Sequence, residues 1–288
     1  MAKVVKKAVI PAGGLGTRFL PVTKSVPKEL LPIGTKPTLL MVIEEAVASG
    51  IEQVVMVVSP QKAHLMDFFD PDTAYVKELT ARGKAPLLTT LTELLKNVEI
   101  VPVQQKRPMG LGDAVLCSHE AVGDEPFVVI LPDVLIESKT PCCRQLIDAY
   151  AKVGCSLSAT EHTPRNQIHL YGIYDVARSE GRIHWARGVV EKPKAEDAPS
   201  DLSVVGRYLF SPEIFDILRK TIPGKGGEIQ LADAMNALAK SEKMVAFEYE
   251  GRQFDTGDPM GFLKANIYYS WSSASEELKD FMKEMICR

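Results

Sequence analysis

The stretch Lys7-Ala8-Val9-Ile10-Pro11-Ala12-Gly13-Gly14-Leu15-Gly16-Thr17-Arg18 carries the first decision. Ala8-Val9-Ile10 is a short apolar run, ended by a proline and then by glycines. That pattern predicts a buried strand running straight into a tight loop. Glycines at 13, 14 and 16 let backbone N–H groups approach a ligand closely. A run of such amides forms an anion nest, to which Arg18 adds a permanent charge. Lys24 and Lys28 follow in the same loop, and Pro21, Pro27 and Pro32 stiffen it. The alternative is a glycine-rich turn with solvated basic residues.

Outward from this loop, short apolar runs alternate with helical patterns. Leu39 to Ser49 reads as a helix with Leu40, Ile43 and Val47 on one face. Val54–Val58, Val98–Val103 and Phe127–Leu131 read as strands, the first apolar throughout, as a strand buried on both faces should be. Residues 61–69, 74–97 and 111–119 read as helical. This alternation predicts an α/β fold with a mostly parallel sheet and helices on both faces. Four strand-like segments then crowd together, at Cys155–Glu161, Tyr171–Ala177, Ile183–Glu191 and Val204–Phe210, and predict antiparallel or mixed additions to that sheet. Helices are expected at Ser211–Thr221, with Ser211 as N-cap, and at Glu228–Lys240, with a strand at Met244–Tyr249. From Pro259 to Cys287 the chain reads as helical, broken near Ser270–Ser275. No linker or internal repeat divides it.

The composition is that of a globular chain. Its 288 residues are 45% hydrophobic and 25% charged, with a formal net charge of −3. A chain of this size buries roughly three quarters of its unfolded surface. The charge balance gives no reason to expect nucleic acid as a partner. Apolar runs reach only five residues at Val54–Val58 and Phe127–Leu131, whereas a membrane span needs about 18. Met1–Lys7 lacks the apolar core of a signal peptide. The five cysteines, Cys117, Cys142, Cys143, Cys155 and Cys287, are odd in number and form no C-x-x-C pair, which suits free thiols in a reducing cytosol.

Several loops could carry chemistry. Neither a P-loop nor a complete G-x-G-x-x-G fingerprint occurs: Gly14-Leu15-Gly16 is followed by Phe19, and Gly110-Leu111-Gly112 by Val115. No H-E-x-x-H or G-x-S-x-G run occurs either. Asp133 stands just after an apolar strand, at the carboxyl end where parallel sheets hold ligands. Asp255, in Phe254-Asp255-Thr256-Gly257-Asp258, stands at another strand-to-helix junction. Two such carboxylates could share one Mg²⁺, or each could cap a following helix. Glu191-Lys192-Pro193 closes a further strand. Its glutamate could accept from sugar hydroxyls and its lysine could meet a phosphate; solvated surface charge is the alternative.

Taken together, the segments KKAVIPAGGLGTRFLPVTKSVPKELLP at 6–32, GLGDAVLCS at 110–118, VVILPDV at 128–134, GVVEKPK at 188–194, VGRYLFSPEIFDIL at 205–218, GGEIQLADAM at 226–235 and FDTGD at 254–258 resemble the bacterial UTP–glucose-1-phosphate uridylyltransferases. The resemblance runs from Lys7 to about Tyr268. It implies a Rossmann-like nucleotidyltransferase fold with a mixed, mostly parallel sheet, spanning residues 1–270, and a helical tail at 271–288. It implies transfer of a uridylyl group from UTP to glucose 1-phosphate in the cytoplasm, with Mg²⁺ as cofactor. By matching position, Gly13, Gly14, Gln105 and Gly110 become nucleotide-base contacts, and Arg18 and Lys28 triphosphate contacts. Glu29 falls in the nucleotide-binding loop. Asp133 matches the magnesium ligand and Asp255 the second acidic position, with Asp258 as its possible substitute. Gly172 and Glu191 match sugar contacts, and Lys192 the contact to the sugar phosphate. The apolar tail face of Leu278, Phe281, Met282, Met285 and Ile286 could pack on its own domain or on a second copy, and the family's homo-oligomers, dimers or tetramers, favour the second copy. Gly34-Thr35 departs from the family, which usually has an acidic residue before Lys36-Pro37. A thymidylyltransferase, an enzyme for another sugar phosphate and a non-catalytic paralogue are the competing readings.

Overall fold

A computed structural model describes residues 4–286 of the chain. Cys287 and the Ile286 side chain therefore lie outside the described residues, as do Met1–Lys3.

The first half builds a parallel half-sheet. Strand β1 (Lys7–Pro11) leads through the glycine loop and a short antiparallel pair, β2 (Pro32–Ile33) and β3 (Lys36–Pro37), into α1 (Thr38–Ala48) and β4 (Gln53–Val58). A 3-10 stretch at Pro60–Phe68 precedes α2 (Ala74–Ala81) and α3 (Thr89–Leu95). The stretch 74–97, read as helical, is made of two helices, parted where Gly83 takes a positive φ of 67° and stops α2. Then come β5 (Glu99–Gln104), α4 (Leu111–Cys117), α5 (His119–Val122) and β6 (Phe127–Ile130). β1 pairs in parallel with both β4 and β6, and β4 with β5.

The second half continues with β7 (Val134–Glu137), α6 (Cys142–Val153), β8 (Ser156–His162), β9 (Gly172–Glu180), β10 (Ile183–Glu191) and β11 (Leu202–Phe210). After α7 (Glu213–Lys220) and α8 (Leu231–Lys240) follow β12 (Met244–Glu248), β13 (Arg252–Asp255), α9 (Pro259–Ser273) and α10 (Glu276–Ile286). Among the described residues the main sheet has nine strands in the order β5-β4-β1-β6-β11-β8-β12-β10-β9. β11 is the seam: it runs antiparallel to β6 on one side and to β8 on the other.

Two expectations at helix starts are corrected. Ser211 does not cap α7; its Oγ lies 3.2 Å from the Tyr150 hydroxyl, and Pro212 stands at the cap position. Residues 228–230 are not helical. The Ile229 backbone is engaged elsewhere: its N–H donates to the Met109 carbonyl at 2.7 Å, and its carbonyl accepts from Gly112 at 2.9 Å.

Both faces of β1, β4 and β6 are buried, which explains their continuous apolar runs, whereas the edge strand β5 is partly exposed along its whole length. Ala8, Ile10, Val54 and Met56 pack on one side with Leu39 and Ile43 of α1 and Leu146 of α6. Val9, Val55, Phe127 and Val129 pack on the other with Val115, Phe215 and Leu218. The chain passes from β1 outward to β4 and β5, then returns to β6 on the opposite side of β1. That reversal opens a crevice at the carboxyl ends of β1 and β6, where open α/β sheets take their ligands.

Candidate active site

The crevice holds a cleft of about 460 Å³ whose lining includes Gly13, Gly14, Lys28, Glu29, Gln105 and Asp133. Gly110 lines it too. The backbone there needs glycine: φ is 96°, and a Cβ would stand 2.8 Å from the Ile229 carbonyl oxygen. The Gln105 amide nitrogen donates to Asp113 Oδ2 at 2.8 Å and to the Gly110 carbonyl at 3.1 Å. Glu29 is buried, and its carboxylate accepts from Lys62 Nζ at 2.8 and 2.9 Å, so this wall is held by an internal ion pair. A slightly larger cleft of about 510 Å³ opens between α1, β7 and α9. It lacks the glycine loop, and its Glu44 and Glu45 carboxylates are already paired with Lys36 and Arg207.

Asp133 and Asp255 are brought together by a pairing between distant segments. β7 and β13 form a two-stranded antiparallel ladder with Val134 opposite Asp255. The next residue, Thr256, donates its N–H (2.7 Å) and its hydroxyl (2.9 Å) to the Asp133 carbonyl. Gly257 closes the corner. A Cβ there would stand 2.7 Å from Asp133 Oδ2 and 3.1 Å from Asp255 Oδ1, so both carboxylates face one point. Burial, and after it the Asp133 charge, push the Asp255 carboxyl above its usual range, against the pull of the Gly257 N–H and the Arg18 guanidinium. Arg18 crosses from the glycine loop to this corner, its Nη1 3.4 Å from the Gly257 carbonyl. Neither acid caps a helix. Asp258 does: its Oδ2 accepts from the N–H groups of Met260 and Gly261 at 3.0 Å, which takes it out of the pair.

The turn that carries Asp133 is buttressed from below. Arg207 of β11 is fully buried and donates to the Leu131 carbonyl at 3.2 Å and the Val134 carbonyl at 2.7 Å, on either side of Pro132-Asp133. Glu45 of α1 holds the guanidinium at 2.8 Å. Gly206 beside it leaves room: a Cβ would meet Leu131 and Val134 at 2.9 Å.

The remaining expected residues gather at the exit of β10. Glu191 lies opposite Gly172 in the β9–β10 ladder, and a Cβ on Gly172 would come within 3.1 Å of Glu191 Oε2. Lys192 adopts a left-handed φ of 48°, and its N–H donates to the Tyr171 carbonyl at 3.0 Å. Such a conformation costs a non-glycine residue about 1 kcal/mol and concentrates at functional sites. These residues do not line the first cleft. Burial, then the Glu191 and Asp133 charges, push the Tyr208 phenol up. Burial, then the Asp255 charge, push the Tyr171 phenol up.

Residues that sequence reasoning did not single out as part of this site are Lys62, Asp113, Arg207 and Glu228, the last lining the cleft. Arg207 and Asp113 stood inside quoted motifs, but nothing local marks them, because each acts on a partner that only the fold supplies.

The sequence profile of the nucleotidyl transferase family matches residues 7–270. The UTP–glucose-1-phosphate uridylyltransferase of Bacillus subtilis is 42% identical over 278 residues, 96% of this chain and 94% of that protein. Its namesake from Staphylococcus epidermidis is 41% identical over 98% of this chain and 99% of its own length. Among solved structures, a UTP-bound UGPase from Acinetobacter baumannii superposes with a TM-score of 0.87 at 37% identity, covering 99% of both chains. A UDP-glucose pyrophosphorylase complexed with UDP-glucose gives a TM-score of 0.85 at 37% identity, covering 93% of this chain and 100% of the other.

Proposed function

The chain belongs to the nucleotidyl transferase family, and from that premise we propose that it transfers a uridylyl group from UTP to α-D-glucose 1-phosphate, giving UDP-glucose and pyrophosphate. The observation that carries the reading is the cleft at the β1–β6 switch point, which the glycine loop, Lys28 and Asp133 line together, with Asp255 outside the lining but facing Asp133 across Gly257.

The chemistry asks little of side-chain nucleophiles. A phosphate oxygen of glucose 1-phosphate, already ionised, attacks the α-phosphorus; a new P–O bond forms there as the α–β bond breaks, and pyrophosphate leaves with the electron pair. The obstacle is the meeting of two polyanions, so catalysis is positioning and charge neutralisation. Gly13 and Gly14 bring backbone close to the nucleotide, with Gln105 and Gly110 at the base. Arg18 and Lys28 meet the triphosphate, Lys192 meets the sugar phosphate, and Glu191 accepts from glucose hydroxyls.

The acidic corner fits Mg²⁺. Its donors are hard carboxylate oxygens, it already attracts a cation in Lys28, and Mg²⁺ takes one or two carboxylates with substrate phosphates. Asp133 and Asp255 would hold it. When bound it supplies a positive charge to the α-phosphate and the departing pyrophosphate.

The tail supports a homo-oligomer as part of this proposal. Leu278, Phe281 and Met285 repeat along α10 and are 40%, 57% and 54% exposed, an apolar face that a second copy would cover. Static light scattering at micromolar concentration tests it; a monomer refutes it. Consumption of UTP belongs in the cytoplasm, in keeping with the four free thiols Cys117, Cys142, Cys143 and Cys155. The decisive experiment for the activity is pyrophosphate release over a panel of nucleotides and sugar phosphates. UTP with glucose 1-phosphate should lead, and a clear preference for dTTP or another sugar phosphate overturns the assignment.

A further inference from the structure

Gln105 is held so that only one end of its amide is available. Its backbone N–H donates to the Val58 carbonyl at 2.9 Å, and its side chain is 6% exposed. The amide nitrogen carries two protons, and both are engaged, one by Asp113 Oδ2 (2.8 Å) and one by the Gly110 carbonyl (3.1 Å). A carboxylate oxygen and a backbone carbonyl accept and do not donate. Turning the amide over would set Oε1 against two acceptors and leave two buried interactions unmet. The chemistry of the partners therefore fixes which end is nitrogen. Oε1 is left on the opposite side, 3.1 Å from where a Cβ on Gly13 would stand, and among the described residues no donor reaches it.

We propose that Asp113 is a specificity-determining positioning residue: by locking the Gln105 amide it presents a lone acceptor to the base, so that the site takes pyrimidines carrying an N3–H and rejects cytosine. This rests on the uridylyl-transfer reading. Uracil has an N–H between two carbonyls, and Oε1 accepts from it. Thymine offers the same edge, so the lock leaves the ring methyl and the ribose hydroxyl to be read elsewhere. Cytosine presents a lone pair at N3, and it can use its 4-amino group only by sliding along the edge. A site built around a fixed buried acceptor discriminates far better than an apolar slot. Asp113 itself stands in the first turn of α4, where a negative charge also suits the helix. That role alone would not affect the choice of base.

The test measures UTP and CTP affinity by calorimetry on the full chain, for the wild type, Asp113→Asn, Gln105→Leu and the double variant. Asn can donate as well as accept, so the lock weakens with little change in shape. In Asp113→Asn the UTP:CTP affinity ratio should narrow about tenfold, while the KM for glucose 1-phosphate holds. In the Gln105→Leu background the same substitution should change the ratio no further. Asp113→Ser, equally able to donate, should reproduce the narrowing and serves if the asparagine variant folds poorly. A folded variant with the wild-type ratio, or an effect that persists without Gln105, overturns the proposal. A wild type that binds no uridine or thymidine triphosphate at all overturns the functional reading as well, a result distinct from an unchanged ratio.

Discussion

Lys28 Nζ lies 2.5 Å from Asp133 Oδ2, so the loop cation and the strand-end carboxylate neutralise each other across the cleft. Burial pushes the Lys28 ammonium down, but the Asp133 charge and hydrogen bond, with Glu29 and Asp255 behind them, outweigh it and leave it above its usual value. The charge is thus retained. In the proposed reaction the pair must separate: Lys28 turns to a phosphate, and Asp133 is left facing Asp255.

Lys28→Met should therefore have two opposite effects. kcat/KM for UTP should fall by about 10²–10³, the scale of one lost electrostatic contact in a reacting site. Mg²⁺ binding to the nucleotide-free protein, followed by calorimetry, should strengthen, because Asp133 and Asp255 lose their resident cation. Weaker or unchanged Mg²⁺ binding would contradict the charge exchange.

Gly257→Ala probes the acidic corner without removing a charge. The new methyl group would stand 2.7 Å from Asp133 Oδ2 and must displace it. Turnover should drop by about 10²-fold, the usual result of a small misplacement in a catalytic constellation, while the thermal midpoint stays close to wild type. Full activity in this variant would show that the two carboxylates do not act from the positions described.

The buttress makes a prediction about acid. Burial alone would raise the Glu45 carboxyl, but the Arg207 guanidinium and its hydrogen bonds win and hold it below 4.5. A folded value below the unfolded one stabilises the protein above the unfolded value, and that contribution is lost as pH falls through the folded value. Glu45→Gln should be about 3 kcal/mol less stable at neutral pH, because Arg207 is left buried and unpaired. It should also lose stability less steeply than wild type below about pH 4.5. Parallel acid-unfolding curves for the two proteins would rule this out.

On the sugar side, Glu191→Gln should raise the KM for glucose 1-phosphate by about tenfold, the scale of one charged hydrogen bond, and leave UTP affinity unchanged. If UTP affinity falls instead while the sugar's holds, the two half-sites have been exchanged.

The parallel half was legible because Val54–Val58 and Phe127–Leu131 are buried on both faces, and burial of that kind writes itself into consecutive residues. The glycine loop was legible for the same local reason. No helix is expected at α6 from the sequence, although Pro141 and Gly154 bracket it and its buried apolar residues are Cys142, Cys143, Leu146 and Ala149; two of those four are cysteines. The β7–β13 ladder was invisible. It joins four-residue strands more than a hundred positions apart, and neither strand has a period long enough to read. Asp133 and Asp255 could be named as candidates, but what unites them, Thr256 on the Asp133 carbonyl, is a product of the fold. Asp258 shows the converse: read as a possible substitute for Asp255, it is instead the N-cap of α9, and the capping alternative weighed for Asp133 and Asp255 applies to neither.

The seam strand has a consequence for how the molecule is made. A ribosome releases β6 with one edge paired to β1 and the other bare, and β11, its second neighbour, is not released until residues 202–210 have been added. At about 5–20 residues per second the nascent chain waits several seconds with that edge open. In that interval it already displays the glycine loop, but the turn bearing Asp133 has neither Arg207 beneath it nor Thr256 beside it. Competence to hold a nucleotide should thus arrive late and abruptly, near the end of translation. A product truncated before β11 would be an idle half-sheet with an adhesive edge, a client for chaperones rather than a weak enzyme.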